Sequence, residues 1–207
     1  MFYEPKDGKA AHGLPHDPFK AIVAPRPIAW VSSLNAEGQP NLAPYSYFQA
    51  VCDAPPIVII SCSPHPPGGT KDTRANILAT EEFVIHIVPH AMREAMNLSS
   101  APFEHGVDEF EKAGLTKAPS TLVAPPRIAD APIAMECRLH DTKEMPSWQG
   151  GEGYMVFFGE VVGIHIDEGA IRDGRLDVTT YRPVSRLGYM DYDSVDAVFE
   201  MPRPSRG

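Results

Sequence analysis

Proline interrupts this chain too often for a fold built on long helices. There are 22 prolines in 207 residues. Each removes a backbone donor and breaks a helix interior, and a central strand also rejects it. They do not form one tract but stand between short apolar runs. That pattern predicts many strands joined by loops, with short helices added. The length suits one domain with its own core, taken as residues 1–207 with a core over about 12–190 and a tail from 191.

The apolar runs give the order of elements. Pro27 to Leu34 reads as a strand, followed by a turn at 35–38. Gln39 to Ala50 reads as an antiparallel partner interrupted at Pro44. Pro56 to Ser61 is apolar throughout and reads as a strand buried on both faces. After the Pro/Gly loop at 63–69, a helix is expected from Thr70 or Lys71 to about Ala79. Glu82 to Val88 is a strand, Pro89 to Leu98 is helical, and Val107 to Ala113 is a short helix stopped by Gly114. Ile133 to Lys143 and Tyr154 to Ile166 are long strands. Thr180 to Tyr189 is a late loop and strand. This order fits a mainly β fold with added helices, an antiparallel barrel, and not a parallel doubly wound sheet.

The formal net charge is −9, which argues against nucleic acid as a partner, since phosphate backbones need a cationic face. A small anion held by one or two local cations stays compatible. The three cysteines Cys52, Cys62 and Cys137 are too few and too scattered for a disulfide framework. No run is long enough to span a bilayer, and no signal-peptide pattern stands at residues 1–13. A cytoplasmic protein with no membrane partner is expected.

Common catalytic signatures are missing. There is no nucleophile elbow, no P-loop and no Gly-rich dinucleotide fingerprint after a strand. Cys62 with His65 and Cys137 with His140 form two C-x-x-H pairs. However, an odd spacing within a strand puts Cys137 and His140 on opposite faces, so no metal is assigned.

The informative stretch is Arg26 to Asn76. Thr70-Lys71-Asp72-Thr73 would bring free backbone N–H groups, a helix dipole, a lysine and a hydroxyl to one place, as a phosphate monoester requires. An ordinary helix start with Thr70 or Asp72 as N-cap explains the same four residues. Around Pro44, Asn41-Leu42-Ala43-Pro44-Tyr45-Ser46 must be an edge or a bulge. Its backbone groups would then be free to meet a flat polar ligand, with Trp30 beside it; an edge strand over a core tryptophan is the alternative.

The ordered set of segments resembles the flavin reductase-like, FMN-binding split-barrel family. It comprises Arg26 to Ser33 (RPIAWVSS), Asn41 to Phe48 (NLAPYSYF), Ala54 to Val58 (APPIV), Lys71-Asp72-Thr73 with Asn76, and Glu82-Phe83-Val84. Downstream follow Asp108 to Glu111 (DEFE), Ala113 to Thr116 (AGLT), Gly159-Glu160-Val161, and Tyr181 to Gly188 (YRPVSRLG). The resemblance implies an antiparallel split β-barrel, a homodimer, and FMN lying along the first strands. Its phosphate would sit near Lys71 and Thr73. Cofactor contacts are expected from Trp30, Ser32, Ser33, Asn41, Ala43, Pro44, Tyr45, Ser46, Ser61, Lys71, Asp72 and Thr73. No catalytic acid or base is named, because the cofactor carries the chemistry.

The resemblance further implies a small-molecule electron donor, NAD(P)H, and a small-molecule acceptor. Two departures bear on this. His86 stands where the family usually has Asn, and Tyr154 stands where its reductases carry a His associated with nicotinamide. The rival readings are an FMN-binding electron-transfer protein without a nicotinamide site, and a barrel that keeps only the fold.

Overall fold

Seven strands carry the molecule in a computed structural model that describes residues 1–64, 72–148 and 150–204. They are β1 (Ala29–Leu34), β2 (Pro40–Tyr45), β3 (Phe48–Asp53), β4 (Pro56–Cys62), β5 (Glu82–Ile87), β6 (Ile133–Glu144) and β7 (Met155–Ile166). All pair antiparallel in one sheet, in the order β2-β1-β5-β6-β7-β4-β3. The two outermost strands, β2 and β3, are joined through residues 46–47 alone, so the sheet curls until its edges meet there. Ser61 N–H donates to the Tyr47 carbonyl at 2.9 Å and ties that junction to β4. No ladder joins β2 to β3 among the described residues, so the sheet is curled but not closed.

The strand expected over Gln39 to Ala50 is therefore two strands. The break falls at residues 46–47 and not at Pro44. Pro44 sits within an unshifted ladder opposite Trp30, tolerated because β2 is an edge and its missing N–H would point outward. The expected continuous strand from Pro27 is likewise split at Ile28. Arg26–Pro27 belongs instead to a small sheet with Val184–Arg186 and Tyr192–Ser194. β4 alternates in burial along its length and is not buried on both faces: Ile57 and Ile59 keep partial exposure.

Helices are short, as the prolines require. They are α1 (Phe19–Ile22), α2 (Asp72–Thr80), α3 (Arg93–Leu98) and α4 (Glu109–Lys112). None among the described residues is long and apolar enough to cross a membrane. Asp108 caps α4 by accepting from Phe110 N–H at 2.9 Å, and Gly114 ends it at φ +67°, a conformation glycine adopts without a Cβ clash.

Two cores flank β1, which explains why it is buried on both faces. One, inside the curl, holds Val31, Ile60, Phe83, Ile85 and Phe157. A Cβ at Gly159 would lie 2.4 Å from Phe83 Cζ, so this glycine is what lets the ring fill the curl. The other core joins Trp30, Leu42, Val88, Met96, Phe110 and Val184 beneath α3 and α4.

Candidate functional site

A cavity of about 970 Å³ opens along β2. Asn41, Ala43, Pro44, Tyr45 and Ser46 line it, together with Ser61 at the end of β4 and Asp72 and Thr73 at the start of α2. Three chain segments thus meet at one space. Alternation along β2 sends Asn41, Ala43 and Tyr45 to one face, and α2 packs over that face.

A buried polar layer fixes one end. Asn41 Nδ2 donates to Thr73 Oγ1 at 2.8 Å and lies 3.5 Å from Ser33 Oγ, which also accepts from Asn76 Nδ2 at 3.1 Å. These amides and hydroxyls join β1, β2 and α2, and each is nearly inaccessible to water. Burial holds the Tyr45 phenol well above its usual pKa, with the neighbouring Cys62 thiol adding to the rise and the Thr73 hydroxyl opposing it. The Asp72 carboxylate meets His105 Nδ1 at 2.7 Å, which raises the pKa of that exposed imidazole.

Three expected contact residues lie elsewhere. Trp30 has no exposed surface; its indole N–H donates to Ser99 Oγ at 2.9 Å and its ring belongs to the second core. Ser32 points the same way as Trp30 by strand alternation, fully buried, and its hydroxyl finds no partner among the described residues. Ser33 lies under the polar layer, where its hydroxyl accepts from the amides of Asn41 and Asn76. None of the three lines the cavity, because β1 is covered on both faces. Lys71, with Thr70 and His65, lies outside the described residues. Cys137 is buried and His140 exposed, on opposite faces of β6.

The sequence reading missed several lining residues. Glu109 reaches from α4 to accept Leu42 N–H at 2.8 Å, binding the helix to the outer edge of β2. Burial is the main cause that pushes its carboxyl up to about 7; Asp72 and Asp108 push the same way, and the backbone N–H donors of Leu42 and Glu109 itself oppose it. Tyr154, noted only as a departure, forms the cavity wall with Tyr47, ring centroids 5.8 Å apart. Arg26 and Arg186 line it as well; both stood in the motif segments but had no assigned role. His86, the other departure, is a structural bridge. Its Nδ1 donates to the Trp30 carbonyl at 2.9 Å and its Nε2 accepts from Ile128 N–H at 2.9 Å. Burial lowers its pKa to about 4 and keeps it neutral.

Comparison with known proteins agrees with this architecture. The family model described as flavin reductase like domain matches residues 23–190. The chain is also 41% identical over 169 residues to an uncharacterized protein of Aquifex aeolicus, spanning 81% of this chain and 83% of the other. Nitrilotriacetate monooxygenase component B from Bacillus cereus superposes with a TM-score of 0.88 at 30% identity, over 97% of this chain and 98% of its own. Pseudomonas fluorescens 2-nitrobenzoate 2-nitroreductase superposes at 0.83 with 32% identity, over 99% and 96%. The chain belongs to the flavin reductase-like family.

Proposed function

We propose that the chain is an FMN-dependent oxidoreductase, a split barrel that holds FMN in this cavity and takes hydride from NAD(P)H. The observation that carries the reading is the meeting of Asn41–Ser46, Ser61 and Asp72–Thr73 at one cavity. The residues fit the group. The outward Leu42 N–H is taken by Glu109. By the two-residue period of an antiparallel edge, the next outward position is Pro44, which offers a carbonyl and no N–H. A flavin's pyrimidine edge carries an N–H that such an acceptor suits. Asp72 and Thr73, at the start of α2, stand where backbone N–H groups and a positive helix end favour a phosphate, beside Lys71 in sequence.

Bound flavin would supply the two-electron chemistry. The protein's residues orient it, exclude water through the core beneath Ala43 and Tyr45, and leave the Tyr154 side open. Tyr154 favours a second reading, an FMN-binding electron-transfer protein that lacks a nicotinamide site. A homodimer is part of the proposal: β2 and β3 are sheet edges, and Val51 on β3 and Phe199 in the tail are exposed, as strands and arms covered by a second copy would be.

FMN titration followed by visible absorbance tests the first step. Lys71→Ala should weaken FMN by roughly ten- to a hundredfold, the worth of a charge-assisted contact, and leave riboflavin nearly unchanged. Equal losses would remove the phosphate assignment. NADH oxidation by FMN-loaded protein separates the two readings, and light scattering tests the dimer.

A further inference from the structure

Two arginines that line the cavity face each other across a strand pair. Arg26 and Arg186 are direct partners in an antiparallel ladder, so their side chains project to one face, and both line the cavity. Like charges placed so are unfavourable. Several other arginines are matched with acids: Arg74 with Glu152, Arg138 with Glu82, Arg172 with Asp177 and Arg182 with Asp196. Among the described residues, neither Arg26 nor Arg186 has a carboxylate within ion-pair distance.

Their partners are neutral. Arg26 Nη1 donates to the carbonyls of Lys20 and Val23 at the end of α1, and Arg186 donates to the Tyr192 hydroxyl and the Tyr189 carbonyl. Arg26 is 7% exposed, and its Nε is buried with no partner. A buried cation without a counter-charge is costly, and an anionic ligand supplies the missing charge. Lys20 adds to the field. Its Nζ and the Arg26 guanidinium carbon lie 6.0 and 5.9 Å from the centroid of the Tyr47 ring, which in turn meets Tyr154. Among the described residues, the acid nearest to Lys20 in sequence, Asp17, lines the cavity too, but it is exposed and accepts Phe19 N–H.

We propose that Arg26, Arg186, Lys20, Tyr47 and Tyr154 form a second-ligand subsite for a planar aromatic carboxylate. Guanidinium forks match a carboxylate in two parallel hydrogen bonds, and the tyrosine rings supply the apolar wall. Lys20 and Arg26 lie within about 6 Å of the Tyr47 ring, so the acid group belongs directly on the ligand's ring. A ribose spacer, as in a dinucleotide, would carry the charge beyond them. The subsite's cations are also distinct from the polar layer: Arg26 and Arg186 donate to backbone carbonyls and the Tyr192 hydroxyl, while Asn41, Thr73, Ser33 and Asn76 bond one another. Its use as a substrate site rests on the flavin reading above; binding of the acid does not.

The test is ligand-observed NMR titration of the full chain with benzoate and with the neutral isostere benzamide, beside FMN, riboflavin and NADH titrations. Benzoate should bind at least about tenfold more tightly than benzamide. Arg186→Gln and Lys20→Gln should each weaken benzoate several-fold and leave benzamide unchanged, while Tyr154→Leu weakens both. Arg26 is left intact because it also holds the last carbonyls of α1. Benzoate no tighter than benzamide, or indifferent to both charge variants, overturns the proposal. So does an Arg186→Gln that weakens FMN but not riboflavin, since the arginines would then hold the flavin phosphate, or one that weakens NADH and not benzoate. Charge-dependent benzoate binding by a chain that binds no flavin supports the subsite and sinks the flavin reading alone.

Discussion

Glu136 and Arg26 are buried almost equally, at 0% and 7% exposure, and the molecule handles the two charges in opposite ways. Glu136 on β6 accepts from the N–H groups of Thr121, Leu122 and Val123 at 2.7, 2.5 and 3.2 Å, and meets His165 Nε2 at 2.5 Å. Every acceptor site is used, and the 121–123 segment is pinned to the sheet. Arg26 and its neighbour Arg186 have only neutral acceptors and face a cavity. Saturation marks a charge that serves the fold; its lack, next to open space, marks one that serves a ligand.

The largest expected effect tests the saturated side. Glu136→Leu strands three N–H groups and His165, and should cost roughly 3–5 kcal/mol in urea unfolding. A cost below about 1 kcal/mol would break the comparison. Burial raises the Glu136 pKa, but the His165 contact and the Thr121 and Leu122 N–H groups outweigh it, and the net shift is downward from 4.5. A carboxylate lowered on folding contributes stability above its unfolded pKa and loses it as pH falls through the folded value. The Glu136 contribution should therefore disappear only below about pH 4.5.

A second, smaller effect lies above that window, where two buried groups oppose each other. His86 falls from 6.5 to about 4 on folding, mainly through burial, so its contribution is complete above 6.5 and is lost as pH drops toward 4. Glu109 rises from 4.5 to about 7, again mainly through burial, so its contribution is complete below 4.5 and is lost as pH climbs toward 7. Each is on the order of 3 kcal/mol, with opposite sign, so the parent chain should be nearly flat between about pH 4.5 and 6.5. His86→Asn should expose a stability that falls with rising pH. Glu109→Gln, which keeps an acceptor for Leu42 N–H, should expose one that rises. Parallel profiles for both variants would contradict the assignment.

How much of this was legible beforehand follows from the range of each interaction. Pro44 announced an edge or a bulge because its missing N–H is a local fact, and Gly114 marked the end of α4 for the same reason. Trp30, Ser32 and Ser33 misled because β1 is buried on both faces; alternation says that Ser32 and Ser33 diverge, but not which face meets a ligand. The break at residues 46–47 carries no turn signature, since it arises from the curl of the whole sheet. Arg26 and Arg186 are 160 positions apart, and only the ladder between them turns two unremarked motif arginines into one feature. Glu109 was visible only as part of a motif; its reach to Leu42 depends on where α4 docks.

The smallest expected effect tests the unsaturated side. If Arg186 serves a ligand, its removal should hardly harm the free protein. Arg186→Gln loses contacts to the Tyr192 hydroxyl and the Tyr189 carbonyl, but it also relieves the cross-strand repulsion with Arg26, worth about 0.2–1 kcal/mol. These nearly cancel, so urea unfolding should show a change within about 1 kcal/mol, and salt should reveal the repulsive part. At low ionic strength the variant should gain on the parent chain. Near 1 M salt, where the screening length is about 3 Å, that gain should fade. Benzoate should then stabilise the parent more than the variant, because a ligand that binds only the folded state adds stability in proportion to its affinity. A loss above about 2 kcal/mol at every salt concentration, with no difference under benzoate, would place Arg186 beside Glu136 as a structural charge and remove the contrast between them.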